Sequence, residues 1–252
     1  MLRNKHVVII GASGLIGQQV AEACRDSGAV VTAAGRRRDE GPEDTLALGT
    51  ATVPFEAVDT NDPASVSALF EQCEKRFGPV NAVVNCAFQR NENFGAKLED
   101  VAYNDFCDNV TRHLGGAFLI CQKAIDYFTG KGAGNIVNFS SIYGVMAPRF
   151  EVYDGTEMTK EVEYIVCKSA IVQMTKYLAK YVKGRNIRVN CVSPGGVWNN
   201  QPDAFVENYN AHGLNKGMLD PGDVAGSVIF LLSDQSQYIN GQNIVVDDGY
   251  SL

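Results

Sequence analysis

Short apolar runs alternate with longer amphipathic stretches from one end of the chain to the other. His6–Ile10, Ala29–Ala33, Thr52–Val58, Val80–Val84, Asn135–Phe139, Arg188–Val192 and Ile244–Val246 are nearly continuous in apolar and β-branched residues. Continuity, rather than strict alternation, is what a parallel sheet covered on both faces requires. Between these runs lie helical patterns at Leu15–Ser27, Pro63–Phe77, Phe118–Phe128, Glu163–Val182 and Pro221–Leu232. The last opens with Asp220-Pro221, a capping residue followed by proline at the first helical position. Strand and helix alternating without a linker or repeat predict an α/β fold, a doubly wound parallel sheet of about seven strands in a three-layer sandwich. The pattern places residues 1–252 in one domain.

Three segments break the rhythm. Arg38–Thr50, rich in Gly, Asp and Glu, reads as a surface loop. Met146–Val162 is longer than a strand-to-helix connection needs, and Trp198–Asn215 carries Trp198, Phe205 and Tyr209 in a polar background, the pattern of a mobile helical flap. Open α/β sheets bind their ligands in loops at the carboxyl ends of the strands.

Composition narrows the class. Hydrophobic residues at 45% supply a sizeable core, and a net charge of -7 disfavours nucleic acid or an anionic membrane as main partner. Seven cysteines without a CxxC pair form neither a disulfide framework nor a zinc site, so no metal is expected and a reducing compartment fits. The apolar run before Gly11 is too short for a signal-peptide core or a spanning helix. These features lead us to expect a cytoplasmic protein acting on a small molecule.

Gly11-Ala12-Ser13-Gly14-Leu15-Ile16-Gly17 follows the first strand and opens a helix. Glycines there tighten the turn and let the backbone approach a pyrophosphate, which the helix N-terminus stabilises. Such turns also occur without a ligand. The second strand run leads into Gly35 and then Arg36, Arg37 and Arg38. An acidic residue there would accept the ribose hydroxyls of NAD; glycine followed by guanidinium groups suits a 2′-phosphate, favouring NADP(H) over NAD(H). Asp59, past the third strand run, is a candidate partner for the adenine amine, with a capping role as the competing reading.

Tyr164-Ile165-Val166-Cys167-Lys168, Asn135–Ser141, Ser193-Pro194-Gly195-Gly196-Val197, Tyr238–Gln242 and Asp247-Asp248-Gly249 occur in the order found in short-chain dehydrogenases/reductases, and the chain resembles that family over nearly its whole length. The resemblance implies a Rossmann-type fold and an NAD(P)-dependent oxidoreductase with Tyr164 as proton donor and Lys168 as its tuner. It also implies Ser141 as the group steadying the substrate oxygen, and a homodimer or homotetramer. Asn85, Ala87, Pro194, Gly195, Val197 and Asn199 would line the dinucleotide together with Tyr164 and Lys168. A phenol near pKa 10 is a poor base at neutral pH, and an ammonium one helical turn away lowers that value.

Departures from the pattern matter as well. The family's NNAG is Asn85-Cys86-Ala87-Phe88, and His113 stands where the family has an asparagine that holds a relay water. An imidazole can relay protons and titrates near neutrality, so the fourth catalytic position is assigned to His113, with a packing histidine as the alternative. Asn109, one turn earlier, is a second candidate for that contribution. Ser141 and Tyr164 stand farther apart than in most members, and the extra residues, Tyr153 among them, are expected to overhang the substrate with Trp198. Hydroxyl, carboxylate and aromatic groups there suit a sugar. A narrower similarity, in Ser141–Thr156, Ser193–Gln201 and Val246–Leu252, is to dehydrogenases of bacterial nonulosonic (legionaminic-type) acid and flagellin-glycan pathways. The substrate expected is therefore a phosphorylated or nucleotide-linked sugar. A 3-oxoacyl thioester reductase and a catalytically silent dinucleotide sensor are the alternatives.

Overall fold

The computed structural model describes residues 1–36, 44–49 and 51–252. Among them, eight strands form one sheet in the order β3-β4-β2-β1-β5-β6-β7-β8. These are β1 (His6–Ile10), β2 (Val30–Gly35), β3 (Thr45–Leu48), β4 (Ala51–Ala57), β5 (Ala82–Asn85), β6 (Gly134–Phe139), β7 (Ile187–Pro194) and β8 (Asn243–Val246). Every pairing is parallel except β3 with β4. The expected count of about seven is thus one short. The extra strand lies in the segment read as a loop. Only Leu48 of β3 is buried, so this edge strand lacks the apolar run that marks an interior one.

Alternate residues of β1 show why the strand runs are continuous in apolar residues. Val7 and Ile9 face a core with helix α1 (Leu15–Asp26) and helix α7 (Ala225–Leu232), through Val20, Ala21, Val228 and Leu231. Val8 and Ile10 face the opposite core, with α2 (Pro63–Phe77), α4 (Gly116–Lys131) and α5 (Val162–Tyr181), through Leu69, Phe70, Ile120, Phe128 and Leu178. Helix α2 begins as its sequence dictates, with the Asp62 carboxylate accepting from Ala64 N at 2.9 Å ahead of Pro63. A helix the pattern did not mark, α3 (Tyr103–Val110), runs into α4 through a π turn at Thr111–Gly115.

A third, smaller core lies under the loops beyond β6 and β7. Ile142, Tyr143, Val152, Tyr153, Phe205 and Tyr209 are buried together there. Phe205 and Tyr209 sit on helix α6 (Asp203–Asn210), so the segment read as a flap packs down onto this core. The Tyr209 ring stacks on that of Tyr250 at 4.1 Å, and its hydroxyl accepts from Gly196 N at 2.6 Å. That bond pins the turn after β7. The chain order reverses between β1 and β5, and the loops beyond these strands open the crevice that such a switch creates.

Candidate active site

The crevice is a cavity of about 890 Å³ at the carboxyl ends of the strands, running from the Gly11–Gly17 turn to Tyr164 and Lys168. Gly11 adopts φ +83°, and a Cβ there would stand 2.7 Å from the Cys86 carbonyl carbon. At Gly17 a Cβ would lie 2.2 Å from Gly11 O. Side chains at either position would destroy the turn, which leaves backbone open to the cavity at Gly11, Ser13, Gly14, Leu15, Ile16 and Gly17. Gly14 precedes α1 with no side-chain cap and no acidic residue in the first turn, so the free N–H groups and positive end of the helix suit an anion. Gly35 and exposed Arg36 continue the wall. This cradle fits a dinucleotide. Arg37 and Arg38 lie outside the described residues.

The other sequence-picked cofactor residues divide into lining and support. Ala87, Val197 and Asn199 line the cavity. The Asn85 side chain instead accepts from Ala87 N at 3.2 Å and holds that turn. Gly195 N donates to Val246 O, which together with Pro194 at the end of β7 fixes the approach of the loop. Asp59 accepts from Asn61 N at 2.9 Å; its neighbours Val58 and Thr60 supply the wall.

At the other end of the cavity, α5 presents Tyr164 and Lys168 one turn apart, and the end of β6 delivers Ser140 and Ser141. The Ser140 hydroxyl donates to Lys168 O at 2.7 Å, docking β6 onto α5. Lys168 Nζ, fully buried, donates to Phe139 O at 3.0 Å and lies 5.5 Å from the centre of the Tyr164 ring. Burial lowers the Lys168 ammonium to about 8. Burial also pushes the Tyr164 phenol up to about 12; a hydrogen bond from Ser141 opposes this shift, and the Glu161 carboxylate adds to it. The expected lowering of the phenol belongs to Lys168 acting together with the positive nicotinamide of the oxidised cofactor; in the protein alone burial dominates.

His113 sits on the π turn, 5% exposed, and neither ring nitrogen has a hydrogen-bond partner. Single π turns inside helices often mark functional positions. Its pKa lies well below the ordinary value, first through burial and then through the charge of Lys168. Both effects favour the neutral imidazole. Asn109 is otherwise engaged: it accepts from Asn91 N at 2.8 Å and donates to Glu163 at 3.2 Å.

The two substrate candidates lie outside the cavity lining. Tyr153 does not overhang the cavity; it is buried in the third core, its hydroxyl 3.1 Å from that of Tyr143, because this insertion carries enough apolar surface to pack. Trp198 is 47% exposed but does not line the cavity; its backbone N–H donates to Leu219 O and ties the loop there. The walls near Tyr164 come from residues that were not singled out: Phe88, Arg90, Phe94, Lys160 and Glu161. Phe88 is the hub. Its ring meets Tyr164 edge-on at 5.6 Å and His113 at 4.9 Å, with Lys168 Nζ at 5.9 Å from its centre. The departure from NNAG was its only signal in the sequence.

A second cavity of about 700 Å³ opens at the amino ends of the strands, where Lys5 pairs with Asp234 and Arg188 donates to backbone carbonyls. Among the described residues there is no cluster of three or more His, Cys, Asp or Glu side chains placed to hold a metal. Nor does any helix of those residues have the length and apolarity to cross a membrane.

A parallel sheet with a glycine turn after β1 and a Ser–Tyr–Lys set beyond β6 defines a dinucleotide-dependent oxidoreductase. The chain belongs to the short-chain dehydrogenase/reductase family. A family model described as enoyl-(acyl carrier protein) reductase matches residues 11–251. The post-translational flagellin modification protein A of Campylobacter coli is 32% identical, with 100% of each chain covered. A 3-oxoacyl-[acyl-carrier-protein] reductase of Chlamydia muridarum is 28% identical over 99% of this chain and 98% of its own. A solved short-chain dehydrogenase from Leptospira borgpetersenii, with bound NAD+, superposes with a TM-score of 0.84 at 32% identity, covering 100% of this chain and 94% of that one.

Proposed function

We propose that the protein transfers a hydride between NADP(H) and a carbonyl or secondary alcohol on a phosphorylated or nucleotide-linked sugar, in the building of a surface glycan. The observation that carries the reading is that Tyr164 and Lys168 line one end of the cavity whose other end is the Gly11–Gly17 turn. Likeness to a flagellin modification protein supports the glycan setting. Gly35 and Arg36 at the end of β2 support a 2′-phosphate.

When bound, the dinucleotide supplies the site that gives or takes the hydride. The chain's own groups do the rest. With its pKa raised to about 12, the Tyr164 hydroxyl stays protonated at neutral pH and is ready to give its proton to the substrate oxygen during reduction. Ser141 Oγ, hydrogen-bonded to Tyr164, steadies the same oxygen. The Lys168 ammonium balances the phenolate left behind. His113, neutral and with both nitrogens unpartnered, accepts a proton on one nitrogen while releasing one from the other, and so passes protons to Lys168 without storing charge. The protein acts in the cytoplasm, as a homodimer or homotetramer.

A second reading, reduction of a 3-oxoacyl thioester, is favoured by the family description and by the chlamydial relative. The test is turnover by the purified protein with NADPH and NADH on keto-sugar phosphates, nucleotide-linked keto-sugars and 3-oxoacyl thioesters. Turnover on a sugar with NADPH is expected. Turnover on thioesters alone would replace this reading with the second, and cofactor binding without turnover on any carbonyl would point to a silent sensor.

A further inference from the structure

Two cations flank the aromatic wall beside Tyr164, and neither has a part in hydride or proton transfer. Lys160 Nζ stands 4.1 Å from the centre of the Tyr164 ring and 5.4 Å from that of Tyr143. The Arg90 guanidinium lies over Phe88 at 5.8 Å and over Phe94 at 5.5 Å. Since Phe88 packs edge-on against Tyr164, guanidinium, ring, ring and ammonium follow one another along the wall of one cavity.

What these cations lack is a partner matched to them. Among the described residues Arg90 has neither an ion pair nor a hydrogen bond; it rests on two ring faces with its N–H edge unpaired. Lys160 has only the adjacent Glu161, with Nζ 3.2 Å from Oε2. Both side chains line the cavity. A planar fork of donors held in place by aromatic faces is preorganised for a phosphate, which it grips through two parallel hydrogen bonds. The chain carries a net charge of -7, so this positive wall is not part of a generally basic surface. The glycine turn and Arg36 lie at the other end of the cavity, where the dinucleotide's own phosphates fit.

We infer that Arg90 and Lys160 form an anion subsite that holds the phosphate monoester of the substrate. The inference rests on the sugar-phosphate reading above and deepens it by assigning the group that carries the charge to named side chains.

The test compares kcat and KM for a keto-sugar phosphate and for the same sugar without phosphate, in wild type, Arg90→Gln, Arg90→Lys and Lys160→Met. The wild type should prefer the phosphorylated sugar. Arg90→Gln should reduce the ratio of the two kcat/KM values by about tenfold or more, through KM, with Arg90→Lys in between. An undiminished ratio in both Arg90→Gln and Lys160→Met overturns the subsite. An NADPH Kd raised by the same factor in Arg90→Gln also overturns it, assigning Arg90 to the cofactor. Calorimetric titration of fructose 6-phosphate, fructose and inorganic phosphate into NADPH-loaded protein separates this inference from the reading beneath it. Arg90-dependent binding of the two phosphates without any sugar turnover keeps the subsite and removes the sugar-reductase function. Sugar turnover indifferent to phosphate does the reverse.

Discussion

The ring of Phe88 stands edge-on to the imidazole of His113, with 4.9 Å between ring centres and 84° between planes. Each residue departs from the family pattern on its own, and the contact makes them one packing unit. The aromatic ring takes the place of a glycine and lies against a histidine that takes the place of an asparagine. The ring remains 39% exposed on its cavity side, while the imidazole beside it is buried.

That contact has a consequence for pH. Burial and the charge of Lys168 keep His113 neutral, so its ring signals should show no titration between pH 5 and 8 in an NMR series. In Phe88→Ala, water reaches the imidazole and the pKa should move up towards about 6.5. A wild-type His113 that titrates near neutrality would contradict this description.

Lys168 should make activity and stability pull apart. Its folded pKa, about 8, lies below the value in an unfolded chain, so the unfolded state binds more protons between those two values. Stability from this group therefore rises as pH climbs through 8, and the burial cost is fully present below it. Lys168→Met should lose activity yet be about 2 kcal/mol more stable at pH 7, after allowing for the lost bond to Phe139 O. Urea denaturation at pH 7 and at pH 10 checks this. The gap should narrow at the higher pH.

The glycine turn supplies a ranking. Gly17→Ala would drive a Cβ to 2.2 Å from Gly11 O, whereas at Gly14 the nearest atom would be that same oxygen at 3.3 Å. In thermal unfolding without cofactor, Gly17→Ala should cost about 3 kcal/mol or prevent folding, and Gly14→Ala about 1 kcal/mol or less. Equal effects would mean the turn is looser than described.

Arg36 lines the cavity where β2 ends. Arg36→Gln should weaken NADPH binding about tenfold and leave NADH nearly unchanged. Fluorescence titration with both cofactors decides. Equal loss for the two would detach Arg36 from cofactor choice.

What the sequence made legible follows from where each signal resides. β1 and α2 appear where their patterns placed them, because an unbroken apolar run and an Asp-Pro cap are local properties of the chain. β3 was hidden because an edge strand with one buried residue leaves no apolar run to read. The Gly turn, Ser141, Tyr164 and Lys168 are carried by short motifs. Arg90, Lys160 and Phe88 are not, since they meet only when the ends of β5 and α5 are brought together across the crevice. Tyr153 misled for the opposite reason: a hydroxyl and an aromatic ring in a long insertion look like ligand contacts, yet neighbouring Val152 and distant Phe205 gave the ring a core to join.

The central claim is that the Tyr164 hydroxyl gives the proton that completes reduction. Single-turnover oxidation of NADPH in the presence of the best carbonyl substrate, comparing wild type with Tyr164→Phe, tests it most directly. The hydroxyl is the only group removed, and the ring contacts to Phe88 and Lys160 remain available. The expected result is a rate lower by about a thousandfold or more with the NADPH Kd changed by less than about threefold. A variant that turns over at a rate near that of wild type would contradict the account.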